Sequence, residues 1–154
     1  MVAMGLLVIS VGFEVIVHRT YGVDVRVGDV WRTIAVSGST GEPYRSTPVE
    51  ATEPIVAGVN DTLQFRVRVD NGYPWSYSEH YYVTSNSGIT VADGELAAAS
   101  RGYGEATFGI VLGRIVDPGA LAPEAKTSPY RSASLNVAVG SVYLYASFQV
   151  QEAS

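Results

Sequence analysis

Residues 135–150, LNVAVGSVYLYASFQV, hold two alternating runs joined by a two-residue spacer. Leu135, Val137 and Val139 share one side of the first run; Val142, Leu144, Ala146, Phe148 and Val150 share one side of the second. A side-chain period of two belongs to a strand with one face buried. Gly140-Ser141 between the runs is a loop of the Gly-X type, suited to a tight turn with positive φ at its first position. The stretch therefore predicts a β-hairpin.

The same pattern extends toward the N-terminus. Residues 62–70, TLQFRVRVD, set Leu63, Phe65, Val67 and Val69 inward and Gln64, Arg66 and Arg68 outward, and Asn71-Gly72 then reads as a turn with positive φ. Val23, Val25 and Val27 alternate with Asp24 and Arg26 up to Gly28-Asp29, and residues 30–36, with Trp31 and Ile34, form the next expected strand. Residues 81–85 and 88–92 read as shorter strands around Asn86-Ser87-Gly88. Ala106, Phe108, Ile110 and Leu112 mark another, and a brief helical turn is expected at 97–100. Residues 37–54 and 117–130, each with three prolines, read as surface loops. Nine or ten short strands, without a long helix or an internal repeat, predict one all-β domain. Its architecture is a single antiparallel β-sandwich, Ig-like or jelly-roll.

A chain of 154 residues, 47% apolar and 16% charged, can bury a core without covalent staples. Its net charge of −5 and pI near 4.9 remove the basic footprint of a nucleic-acid partner. The absence of cysteine excludes disulfide frameworks, thiolate metal sites and cysteine nucleophiles. Lys126 is the single lysine, and the chain is rich in Ser and Thr, with 16 Gly and 10 Tyr. Small hydroxyls and tyrosine with little lysine suit a β-rich exterior protein, which sets the expectation of an extracellular or cell-surface location.

Residues 1–17, MVAMGLLVISVGFEVIV, form an apolar stretch with four readings. A signal peptide is disfavoured, because a positive n-region and a small-x-small cleavage site are both missing. As a transmembrane helix the stretch would span ~25 Å against a hydrocarbon core of ~30 Å. A pilin-like helical spine would tolerate Glu14 inside a filament, although such spines run longer. The fourth reading is a strand. Ile9, Val11, Phe13, Val15 and Val17 fall on one face, with Ser10, Gly12, Glu14 and His18 on the other, and Gly5 and Gly12 weaken any helix. A strand over 6–18 would extend ~43 Å, more than twice the usual length. It either bends across its own sandwich or completes the sheet of the next subunit by donor-strand complementation. Burying its five aligned side chains would contribute on the order of 10 kcal/mol. The expected division is thus 1–18, an apolar segment, and 19–154, the sandwich.

Catalytic and metal signals are sparse. His18 and His80 have no ligand-spaced partner, SGSTG at residues 37–41 has the wrong spacing for a nucleophile elbow, and phosphate and dinucleotide loops are absent. No enzyme activity, metal or cofactor is expected. Asp61, Asp70, Asp93 and Glu95 could gather around calcium, without a calcium-loop pattern behind them. Residues 73–82, YPWSYSEHYY, concentrate five aromatics. Trp75, Tyr77, Tyr81 and Tyr82 are candidates for a subunit or glycan contact, with capping of the core as the alternative. Asn60-Asp61-Thr62 is a glycosylation sequon.

An apolar alternating N-terminal strand joined to a cysteine-free, Ser/Thr/Tyr-rich sandwich resembles the subunits of extracellular filaments polymerised by donor strands. Archaeal bundling pili and threads and TasA-type bacterial biofilm fibres are of this kind. The resemblance covers the chain in outline and lies in layout and composition. It implies a non-catalytic structural subunit that polymerises with copies of itself, with Ile9, Val11, Phe13, Val15 and Val17 as donor residues. Two alternatives stand beside it: a type IV pilin-like subunit with a helical spine, and a membrane-tethered sandwich that binds glycans.

Overall fold

The run at residues 62–70 forms the strand Thr62–Asn71, in which Phe65, Val67 and Val69 are fully buried and Leu63 nearly so. Gln64 is exposed, and Arg66 and Arg68 lie on the outer face with it. The computed structural model describes residues 19–37, 46–48, 54–116 and 130–152. Among these, the strands are β1 (Arg19–Val27), β2 (Val30–Ser37), β3 (Ser46–Pro48), β4 (Ile55–Val56), β5 (Thr62–Asn71), β6 (Tyr77–Ser85), β7 (Thr90–Ala98), β8 (Tyr103–Val111), β9 (Tyr130–Val139) and β10 (Val142–Gln151). They make two five-stranded sheets, ordered β3-β2-β1-β5-β8 and β4-β10-β9-β6-β7. The all-β sandwich expected from the pattern is the observed architecture.

The two inner faces meet over aromatic side chains. Phe65 stacks on Phe108 of its own sheet at 5.6 Å and reaches Phe148 of the other at 6.0 Å, while Tyr81 closes on Phe108 at 5.7 Å. Val23, Val25, Val83, Leu96, Leu135, Val137 and Leu144 fill the space around them, all fully buried. The C-terminal hairpin has the expected form. Val139 pairs with Val142 across Gly140-Ser141, and Gly140 has φ 59° while Ser141 stays at negative φ, the pattern of a type II′ turn.

Five expectations are corrected. Asn71-Gly72 is not a positive-φ turn. Asn71 is the last, buried residue of β5, and the chain crosses from one sheet to the other before β6, so no hairpin forms there. Residues 97–100 are not helical: Ala97 and Ala98 end β7, paired with Ser78 and Tyr77. Leu112 leaves the sheet and opens a short 3-10 turn, Leu112–Arg114, in which it is buried. The sandwich is also not wholly antiparallel, because β4 joins β10 in parallel through Val150–Ile55 and Gln151–Val56. The expected loop at 37–54 contains β3, paired with the end of β2. The expectations for residues 1–18 and for most of 117–130 lie outside the described residues.

On the outer face of the first sheet Asp24 is fully buried although its parity points away from the core. Its carboxylate accepts hydrogen bonds from Arg66 Nε at 2.8 Å, Arg68 Nε at 3.0 Å and Thr33 Oγ1 at 2.8 Å. Arg66 lies 4.6 Å over the Trp31 ring and also reaches Glu105. The two β5 arginines thus fold over β1 and roof its one outward acid.

Candidate functional site

The aromatic stretch 73–82 is divided by strand parity. Tyr77 and Tyr81 point inward and are 7% and 3% exposed, so they belong to the core and cannot form a surface contact with Trp75 and Tyr82. Tyr21 donates a hydrogen bond to the Tyr77 hydroxyl at 3.1 Å, and burial raises the pKa of both phenols above its ordinary value. Tyr82 faces outward and is 50% exposed. Trp75, also about half exposed, stands at one pole of the sandwich with its ring 5.0 Å from Tyr73.

Arg19, the first described residue, lies at that pole. The Arg19 guanidinium is held between the rings of Tyr73 at 4.3 Å and Tyr77 at 4.4 Å, and its Nε donates to Asn71 Oδ1 at 3.1 Å. Asn71 Nδ2 in turn donates to the Trp75 and Ala99 carbonyls at 2.8 and 3.0 Å. Two cation–π contacts and a buried amide hold the Arg19 side chain against the domain. Asp70, Asn71, Gly72, Arg101 and Gly102 line an open depression beside it.

Tyr82 belongs to a different surface, the outer face of the second sheet. Register aligns Tyr143 of β10, Ala138 of β9, Tyr82 of β6 and Asp93 of β7 in one row. The next row is Tyr145, Asn136, Thr84 and Thr90. Tyr143 and Tyr145 are 54% and 47% exposed. Three half-exposed tyrosines therefore share the outer face of this sheet around Ala138. Sequence reasoning overlooked Tyr143 and Tyr145, although both occupy the outward parity of the hairpin strand that it identified.

His80 edges this face, its ring 4.5 Å from that of Tyr82. Nδ1 lies 2.8 Å from Glu95 and Nε2 2.9 Å from Asp93. Both partners are acceptors, so satisfying both requires a doubly protonated ring. The hydrogen bonds to Glu95 and then to Asp93 raise the pKa of His80 above its ordinary value. The arrangement ties the edge strand β7 to β6.

The remaining candidates do not converge. Asp61 caps a turn by accepting from Gly58 N at 2.7 Å, and Asp70 sits at the far end of β5, some 30 Å away along an extended strand. Asp93 and Glu95 lie on the other sheet, so the four acids share no calcium site. No group of three metal-binding side chains occurs among the described residues. Asn60 is exposed in the turn before β5. Ile9, Val11, Phe13, Val15, Val17 and His18 lie outside the described residues, and among those described no helix is long and apolar enough to cross a membrane. No protein-family model and no curated protein sequence matches the chain.

Proposed function

We propose that the chain is a structural subunit of a self-assembling extracellular filament, joined to its neighbours through the apolar segment 1–18. The observation that carries this reading is that the described strands already supply an apolar core, while the sequence holds a further apolar run. Strands β1–β10 supply a continuous apolar interior, and no buried side-chain nitrogen or oxygen among the described residues lacks a hydrogen-bond partner. The sequence nevertheless supplies a further alternating run immediately before β1, with Ile9, Val11, Phe13, Val15 and Val17 on one face. A sheet in a second copy offers such a run both a backbone ladder and an apolar seat. One head-to-tail contact per subunit does not close on itself and propagates a fibre.

Negative-stain electron microscopy tests this on the full chain beside a Phe13→Lys variant. Filaments from the first and dispersed particles from the second are expected. A full chain that stays monomeric across a wide concentration range overturns the proposal.

A further inference from the structure

A strand added to this sandwich needs a sheet edge, and the four edges among the described residues differ in what they offer. β3 and β4 run for only three and two residues. β7 and β8 run for nine each. We propose, resting on the filament reading above, that the outer edge of β8 is the acceptor, and that residues 9–17 of a second copy pair along it and extend the first sheet by one strand.

Regularity separates the two long edges. The pairing of β7 with β6 shifts between Val83 and Thr84, and a bulge of this kind bends an edge away from further pairing. β7 also carries Asp93 and Glu95, both engaged with His80. β8 instead pairs with β5 without a shift, from Thr62–Val111 to Asp70–Tyr103. It holds no proline and one charged residue, Glu105, whose carboxylate is drawn toward β5 by Arg66. A long, regular edge without such guards is a template for another strand.

The core is also thinnest beside that edge. Val91 and Ala92 of β7 and Ala106 of β8 pack against the core but are only partly buried, and Phe108, at 9%, is among its most exposed members. A Cβ on Gly104 would meet the Ala97 carbonyl oxygen, so β7 lies over the inner face of β8. Among the described residues none pairs along the outer edge of β8. A strand seated there with Ile9, Val11, Phe13, Val15 and Val17 inward would cover this apolar margin. Its other parity, with Gly12 and Glu14, would join the outer face beside Thr107 and Gly109.

Reach decides which copy supplies the strand. β1 is separated from the seat beyond β8 by three strand spacings, ~14 Å. Val17 precedes Arg19 by two residues, which span at most ~7 Å. The run cannot lie in full along the β8 edge of its own domain, whereas the β8 edge of a second copy is subject to no such tether. Each copy then gives one strand and receives one, and the contact propagates without closing.

The absence of cysteine lets introduced thiol pairs report this contact. Glu14→Cys with Thr107→Cys puts one thiol near the middle of each partner, both on the outer side, within ~8 Å as direct or diagonal neighbours. A short bismaleimide applied to the assembled full chain is expected to give a ladder of covalent multimers on a denaturing gel. Glu14→Cys with Ala97→Cys, on the outer face of β7, should give none. Both pairs should melt with the parent, since Thr107 and Ala97 are exposed. Filaments that yield no Thr107 ladder overturn the β8 assignment and leave the filament reading standing. A ladder from Ala97 in its place overturns the assignment in favour of β7. An internally cross-linked monomer from the Thr107 pair overturns it in favour of the chain's own run. A full chain that forms no filaments overturns both readings.

Discussion

Replacing Asp24 with alanine probes the one buried charge on the outer face of the first sheet. The carboxylate is fully buried and accepts three hydrogen bonds, from Arg66, Arg68 and Thr33. Breaking a buried ion pair by removing one partner costs ~3–5 kcal/mol when the survivor stays buried and unpaired. Here the survivors are arginines whose side chains are 21% and 26% exposed, so water can take over part of the lost solvation. Arg66 also keeps Glu105 at 3.4 Å and the Trp31 ring. The expected loss for Asp24→Ala is therefore lower, about 2–3 kcal/mol. At ~2–4 °C per kcal/mol for a domain of this size, Tm should fall by about 4–12 °C. The complementary double variant, Arg66→Met with Arg68→Met, leaves the orphan on the buried side, with Thr33 as its remaining partner. It should cost more, about 3–5 kcal/mol, although the groups removed are the more exposed ones. Urea unfolding with an unchanged m-value measures both. An Asp24→Ala loss below about 0.5 kcal/mol, or a double variant that is the milder of the two, refutes this account of the network.

Gly104→Ala should be severe, because a Cβ there would lie 1.9 Å from the Ala97 carbonyl oxygen, a backbone atom that cannot swing aside. The β7–β8 seam must then open, at a cost of about 3 kcal/mol or more, read as a lower Tm and faster amide exchange in both strands. Asn71→Ala strips donors from the Trp75 and Ala99 carbonyls and the acceptor from Arg19, for an expected loss of about 2–3 kcal/mol in urea unfolding. For His80, the folded pKa is raised above the unfolded value near 6.5 by Glu95 and Asp93. Its stabilising contribution is therefore complete below about pH 6.5 and lost as pH rises through the folded pKa. The stability gap between the parent and His80→Gln should close as pH rises above about 6.5, and a gap that widens contradicts the clamp.

Legibility followed the distance over which each feature is determined. The C-terminal hairpin could be read because alternation and turn chemistry agree within sixteen consecutive residues, and each side chain assigned inward is buried or packed against the core. Asn71-Gly72 carries equally good turn chemistry, yet the strands on either side of it belong to different sheets, and the Asn71 amide is committed to the carbonyls of two separate loops. Alanine at 97–98 favours a helix locally, and pairing with β6 overrides it. The parallel contact of β4 with β10 rests on two residue pairs, Val150–Ile55 and Gln151–Val56, too far apart in the chain for local pattern to have leverage. Asp24 was assigned the correct face but not its burial, which depends on where two arginines of another strand lay their guanidinium groups.

The tyrosines separate the two kinds of information most clearly. Reading the strand from Tyr81 rather than Tyr77 hid the parity that sends Tyr77 and Tyr81 inward and Tyr82 outward, so one cluster in sequence appeared as one cluster in space. Strand parity alone, carried back four residues, would have divided it. Nothing local could have joined Tyr82 to Tyr143, because that row depends on two registers at once, β6 on β9 and β9 on β10. Both registers pass through Ala138, a small residue that looks unremarkable in the hairpin sequence. Its pairing with both Tyr143 and Tyr82 is what sets the two side chains in one row, so the residue least conspicuous in sequence fixes which aromatics share a face.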